Sequence, residues 1–158
     1  MGPKIKAVCD SGPFIHLSEI GALRSLSAFN IVIPPAVKEE TRALSKRIKV
    51  HNQFDNNIVQ ILQNEFGLDL AESQCIALAK TSKISLFLTD DLDARTAAKQ
   101  LGLEPHGTVG ILLKAYRQKI FSKKQTIEFV QKIKTKSTLY ITTDIIQFIL
   151  AEIEKHSD

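Results

Sequence analysis

Short apolar runs of four or five residues alternate with longer segments of helical spacing along most of this chain. Few architectures accept that order. Ile5–Cys9 is apolar and stops at Asp10-Ser11-Gly12-Pro13, which reads as a buried strand ending in a turn. Asn30–Ile33 is a second such run, halted by Pro34-Pro35, and Ile84–Leu88 is a third. Shorter strands are expected near Ile48–Val50 and Glu104–His106. Between them the spacing predicts helices over Phe14 to Phe29 (broken near Gly21), Pro35 to Leu44, Asn57 to Phe66, Leu70 to Lys80 and Asp91 to Leu101. Three more follow, capped by Thr108, by Ser122 and by Thr142 or Thr143, the last running through Lys155. Successive strands separated by helices must be joined by crossovers, so the pattern predicts a parallel sheet with helices on both faces.

With 158 residues and no linker, repeat or break in composition, the chain is expected to form one domain. Hydrophobic residues at 44% and charged residues at 24% exclude disordered and fibrous classes. No apolar run approaches the roughly 20 residues that span a bilayer. The start, Met1-Gly2-Pro3-Lys4-Ile5-Lys6, lacks the apolar centre of a signal peptide and the hydroxyl residue that myristoylation prefers. Cys9 and Cys75 both lie in apolar segments and read as buried thiols, which excludes a disulfide scaffold and a four-cysteine zinc site. A cytoplasmic location is therefore expected. The net charge is +4, but Lys114–Lys136 alone carries eight basic residues against one acid. Such a tract suits a polyanionic partner, or else a solvated helix face.

The carboxylates follow the strands. In open α/β sheets, sites form beyond the C-terminal strand ends. Asp10 follows the first strand, and Asp90 and Asp91 follow Leu88-Thr89. Glu40 shares a helix face with Ala36, Val37, Ala43 and Leu44, so it is expected to point inward, whereas Glu39 can pair with Arg42 and face water. Glu72 shares its face with Cys75, Ile76 and Ala79. Each acid also has a purely structural reading. Asp10 and Asp91 could cap helices, Asp69 and Glu72 have capping-box spacing, and Glu40 could be ion-paired. Taken together, buried anions must be protonated, paired or bound to a cation. Oxygen-only ligands suit Mg²⁺ or Mn²⁺. Gly107-Thr108-Val109-Gly110 opens a helix but lacks the Walker lysine and the third Rossmann glycine, so it reads as a turn and cap. Ser11-Gly12 is not a nucleophile elbow. His16, His51, His106 and His156 share no ligand spacing and read as core or surface residues.

Five segments in order resemble those of PIN-domain proteins, in particular the VapC-like nucleases and a prokaryotic subfamily close to them. They are Asp10-Ser11-Gly12-Pro13-Phe14-Ile15-His16-Leu17, Ile33-Pro34-Pro35-Ala36-Val37-Lys38-Glu39-Glu40, Glu72-Ser73-Gln74-Cys75-Ile76-Ala77-Leu78-Ala79 and Leu88-Thr89-Asp90-Asp91-Leu92-Asp93-Ala94-Arg95, then Leu101-Gly102-Leu103 with Gly107–Leu112. The third departs from the family in having Ala71 where Gly is usual, and Glu72 where VapC toxins commonly have Asp. The resemblance spans about residues 5–121, leaving 122–158 as a helical extension packed on the domain. It implies a three-layer α/β/α sandwich, an acidic pocket for Mg²⁺ or Mn²⁺, hydrolysis of RNA phosphodiesters, a homodimer and, for toxin members, an antitoxin partner.

The resulting expectation is a metal-dependent ribonuclease. Asp10 and Asp91 are expected to hold the cation, with Glu40 and Glu72 completing the acidic cluster; Asp90 is the competing ligand, although Thr89-x-Asp91 fits the common pattern better. Ser11, Thr89, Lys38, Arg42, Arg95, Lys123 and Lys124 are the candidates for contacting substrate. Two other readings compete. A PIN fold that grips RNA or protein without cutting should have lost pocket acids, which are present here. A phosphoacceptor receiver domain should carry its acidic pair after the first strand, whereas here the pair follows a later one.

Overall fold

Each apolar run that ends against a turn becomes a strand. The computed structural model describes residues 4–156, so the reading of the Met1–Pro3 start lies outside the described residues. β1 (Ile5–Cys9), β2 (Phe29–Ile33), β3 (Lys49–Val50), β4 (Leu86–Leu88) and β5 (Glu104–His106) pair in the order β3-β2-β1-β4-β5, all parallel. The helices are α1 (Ser11–Glu19), α2 (Pro35–Thr41), α3 (Asn56–Phe66), α4 (Leu70–Thr81), α5 (Leu92–Gln100), α6 (Thr108–Arg117), α7 (Lys123–Lys136) and α8 (Thr143–Glu154). The architecture is the expected α/β/α sandwich around a parallel sheet. α4 packs on β1 and β4, α5 and α6 on β5, and α7 bridges α6 to α8.

From β1 the chain moves outward through β2 to β3, then returns to the other side of β1 for β4 and β5. The order reverses between β1 and β4, and such a point opens a crevice at the C-terminal strand ends. The register sets Cys9 opposite Leu88. Hence the residues after these two strands, Asp10 and Thr89, emerge side by side.

Local departures from the expected elements have local causes. β4 begins at Leu86, although Ile84 before it is buried. The stretch expected as one broken helix is α1 followed by a 3₁₀ helix over Leu23–Ala28, with Gly21 between them at φ +76°. α2 stops at Thr41 rather than Leu44, because Arg42 takes φ 45° and the chain continues as a 3₁₀ turn over Arg42–Ser45. Lys38 Nζ closes that end by donating to the carbonyls of Arg42 and Ser45.

The core continues from the sheet into the C-terminal helices: Phe87, Leu112, Val130, Ile133, Ile149 and Ile153 belong to one buried cluster. α8 therefore spends Ile146, Ile149 and Ile153 inside the fold. Two large apolar residues of the same helix, Ile145 and Phe148, stay exposed. Cys9 and Cys75 are buried free thiols, as expected, and burial raises both well above the usual thiol range. Among the described residues no helix is long and apolar enough to cross a membrane.

If residues 122–158 fold with the rest, Phe87→Ala in β4 and Ile133→Ala in α7 should lower the midpoint of the same single melting transition. The expected losses are about 3–5 and 2–5 kcal/mol. A separate transition affected by Ile133→Ala alone would make the C-terminal helices an independent unit.

Candidate active site

A cavity of 1360 Å³ opens beyond the C-terminal ends of β1 and β4. Asp10, Glu40, Glu72 and Asp91 all line it, as do Asp69 and Asp90. Its floor is Asp10, only 5% exposed at the N-terminus of α1. Asp10 Oδ1 accepts the Ser11 N–H at 2.8 Å, and Oδ2 accepts the Thr89 hydroxyl at 3.0 Å. The same Thr89 oxygen accepts the N–H of Asp91 at 3.2 Å. Thr89 is fully buried, so it orders the two acids from beneath and does not line the cavity.

Asp90 and Asp91 have different surroundings. Asp90 is held by His16 Nδ1 at 2.7 Å, by the Thr108 N–H at 2.7 Å and by the Thr108 hydroxyl at 2.6 Å. Burial raises its pKa, but the bonds from His16 and Thr108 prevail and leave it below the ordinary carboxylate range. Thr108 was expected to cap α6. Instead Gly107 is the cap residue, with no side chain to offer, and Asp90 accepts the Thr108 N–H from across the fold. A Cβ on Gly107 would sit 2.7 Å from Asp90 Oδ1 and 2.9 Å from an Arg95 guanidinium nitrogen, so this close approach requires glycine. Asp91 is exposed and N-caps α5 through Oδ2, which accepts the Ala94 N–H at 2.9 Å.

The structural role considered for Glu72 coexists with its place at the cavity. Its Oε1 accepts the Asp69 N–H at 3.0 Å while Asp69 Oδ1 accepts the Glu72 N–H at 2.8 Å, a complete capping box. Glu40 corrects an expectation: it is exposed on the cavity wall and does not point inward. The short α2 never carries Ala43 and Leu44 onto the face assumed for them, and Val37 and Thr41 take the buried positions. Glu39 pairs with Arg42 at 2.7 Å, as expected.

Most of the basic candidates are elsewhere. Ser11 and Arg95 line the cavity; Lys38, Arg42, Lys123 and Lys124 do not. Lys38 closes α2, and Lys123 Nζ donates to the carbonyls of Glu154 and His156 at the end of α8. Three contributors escaped the sequence reading: His16, Gly107 and the segment Thr138–Ile149, which forms a wall of the cavity. His16 lies on the face of α1 that Gly12 opens toward Asp90, a spacing of four that was available in the sequence but had no visible partner.

Electrostatically the cavity is loaded with negative charge. Burial, then the charges of Asp69 and Glu40, raise Asp10 from 3.8 to about 6 against the hydrogen bonds from Ser11 and Thr89. Burial and the charges of Asp69, Asp91 and Asp10 raise Glu72 from 4.5 to about 8. Among the described residues, no three His, Cys, Asp or Glu side chains stand close enough together to hold a cation as they are. The donor chemistry nevertheless fits a hard cation. Every acidic donor at the cavity is an oxygen, and burial and neighbouring negative charge make two of the acids resist ionisation, both of which a cation would relieve.

The raised Asp10 has a consequence for stability. Between pH 3.8 and about 6 the folded protein binds more protons at Asp10 than the unfolded chain, so stability is lost as pH rises through that window. Asn keeps the cap without the charge. In chelator, Asp10→Asn should therefore be more stable than wild type at pH 7.5, by up to about 3 kcal/mol, with the gap closing by pH 4. A variant less stable at both pH values would show that Asp10 stabilises the fold as an ion.

Comparison with known families is consistent with this geometry. The PIN-domain family matches residues 6–155. The match runs past residue 121, where the resemblance of the motifs stops, and takes in α7 and α8. Searches of curated proteins and of solved structures found no match. PIN domains are generally nucleases and usually employ divalent metals. With a parallel sheet reversing at β1 and β4, acids gathered beyond those strands and a family match over nearly its whole length, this chain belongs to the PIN-domain family.

Proposed function

We propose that the protein is a divalent-metal-dependent endoribonuclease. The observation that carries the reading is the gathering of Asp10, Glu40, Glu72 and Asp91 from four chain segments at one cavity, with Asp10 and Glu72 raised to about 6 and 8. Asp10 and Asp91 would hold Mg²⁺ or Mn²⁺, and Glu40 and Glu72 would flank it. When bound, the cation lowers the pKa of water and offsets charge developing on the phosphoryl oxygens. Thr89 keeps Asp10 and Asp91 in register from below. Asp90 serves as a positioning residue, because His16 and Thr108 already occupy it. Glu72, raised by burial and the neighbouring acids, would give up its proton when the cation binds and then be suited to accepting one from water. Arg95 is the basic side chain at the cavity best placed to meet a phosphate. The resemblance to VapC-like nucleases adds two protein partners to the proposal, a second copy of the chain and, if this is a toxin, an antitoxin.

RNA digestion should require Mg²⁺ or Mn²⁺ and stop with chelator. Asp91→Asn and Asp10→Asn should each reduce it by at least roughly a hundredfold while remaining folded. Asp90→Asn should lower the melting temperature and only partly reduce cleavage. Normal cutting by Asp91→Asn alongside a folded but inactive Asp90→Asn would assign the ligand to the wrong aspartate. RNA that is bound but never cut by wild type would favour the non-catalytic binding module.

A cation must displace the protons on Asp10 and Glu72, so Mn²⁺ affinity should rise between pH 6 and 8 with proton release. Calorimetry in buffers of different ionisation enthalpy reads this directly. A flat pH dependence would remove both acids from the binding event.

A further inference from the structure

One wall of the acidic cavity is apolar and comes from the C-terminal segment. Tyr140 is 89% exposed and Phe148 67% exposed, yet both line the same cavity as Asp10 and Asp91. Their backbone is tied down. The Thr138 N–H and hydroxyl donate to Glu19 at 2.7 and 2.9 Å, and Lys134 Nζ donates to the Ile141 carbonyl at 3.2 Å. Ile146 and Ile149 anchor α8 on both sides of Phe148. The two rings are thus displayed on fixed chain beside the acids.

The charge of the cavity makes such a wall necessary. Its lining carries seven Asp and Glu side chains against one arginine, and the lysines of the basic tract do not contribute, apart from Lys134 holding the loop. A polyanion gains little Coulombic attraction from this surface, whereas neutral base faces can stack on aromatic rings. In a duplex the bases are already stacked on one another, so only an unpaired strand can offer them.

We propose that Tyr140 and Phe148 form a platform on which unpaired bases of an RNA strand stack while its backbone passes the carboxylates. This rests on reading the cavity as a ribonuclease site. The two aromatics are positioning residues for that strand.

The test uses fluorescence anisotropy of a labelled ten-nucleotide RNA with the full chain carrying Asp91→Asn, which spares the oligonucleotide. Tyr140→Ala and Phe148→Ala should each weaken binding by at least about fivefold, and Tyr140→Phe should restore it. An abasic oligomer of the same length should bind the parent as weakly as the intact RNA binds the double alanine variant. The chain has no tryptophan, so Tyr140→Trp installs a single reporter. Its emission should be quenched by the intact RNA and not by the abasic one. Both side chains are exposed, so the alanine variants should melt as the parent does. Equal binding by the double variant, or no RNA binding by the parent, overturns the proposal. So does conversion of a dimer to a monomer by the double variant with RNA affinity unchanged, which would make this face a contact between copies. Metal-dependent cleavage by wild type without aromatic dependence leaves the ribonuclease reading standing and this one refuted. Aromatic-dependent binding without cleavage supports the platform and refutes the ribonuclease reading.

Discussion

The parallel pairing of β1 with β4 is the constraint from which the site follows. Once Cys9 lies opposite Leu88, the next residue on each strand is fixed within hydrogen-bonding reach of the other. The Thr89 hydroxyl then serves two acids at once, donating to Asp10 and accepting from the backbone of Asp91. A slip of one residue would send Asp10 to the opposite face of its strand and separate the pair. The large apolar residues that hold this register, Phe87, Leu88 and Val8, are fully buried. The geometry of the acidic cluster is therefore maintained by the core and not by attraction among the acids, which repel.

That repulsion has a definite distribution. Asp10 receives two hydrogen bonds and still rises to about 6, because its burial and the nearby acids outweigh what Ser11 and Thr89 return. Asp90, two residues past the end of the neighbouring strand β4, falls below its ordinary value because His16 and Thr108 supply three bonds. Two adjacent aspartates thus do opposite work. One ties β4 to α1 and α6 as an ion, and its neighbour Asp91 caps α5 and faces the cavity. Gly107 permits this arrangement, since any side chain there would collide with the Asp90 carboxylate.

Legibility in the sequence followed the range of the forces. Strands and helices were readable because apolar runs, prolines and caps act over a few residues; Asp69 with Glu72, and Ser122 with Gln125, form the capping boxes their spacing allows. The acids after the strands were readable because parallel topology puts strand ends together. The division between Asp90 and Asp91 was not, since it depends on Thr108 arriving from another strand–helix unit. Glu40 was misjudged because helix-face arithmetic fails when the helix ends early, and nothing in Glu-Thr-Arg-Ala announces that Arg42 will adopt a positive φ.

Two lysines of the basic tract also have a structural role that a count of charges leaves out. Counted as charge, Lys123 and Lys134 looked like a surface for a polyanion. In the fold their ammonium groups bind carbonyls of the C-terminal segment, at Glu154 and His156 and at Ile141. A helix C-terminus leaves carbonyls unsatisfied, and a lysine from a neighbouring helix satisfies them with a charge-assisted bond. The gain is positional: α8 and the loop before it, which line part of the cavity, are tied to α7. Lys123 and Lys134 thereby help hold the wall that carries Tyr140 and Phe148 in place.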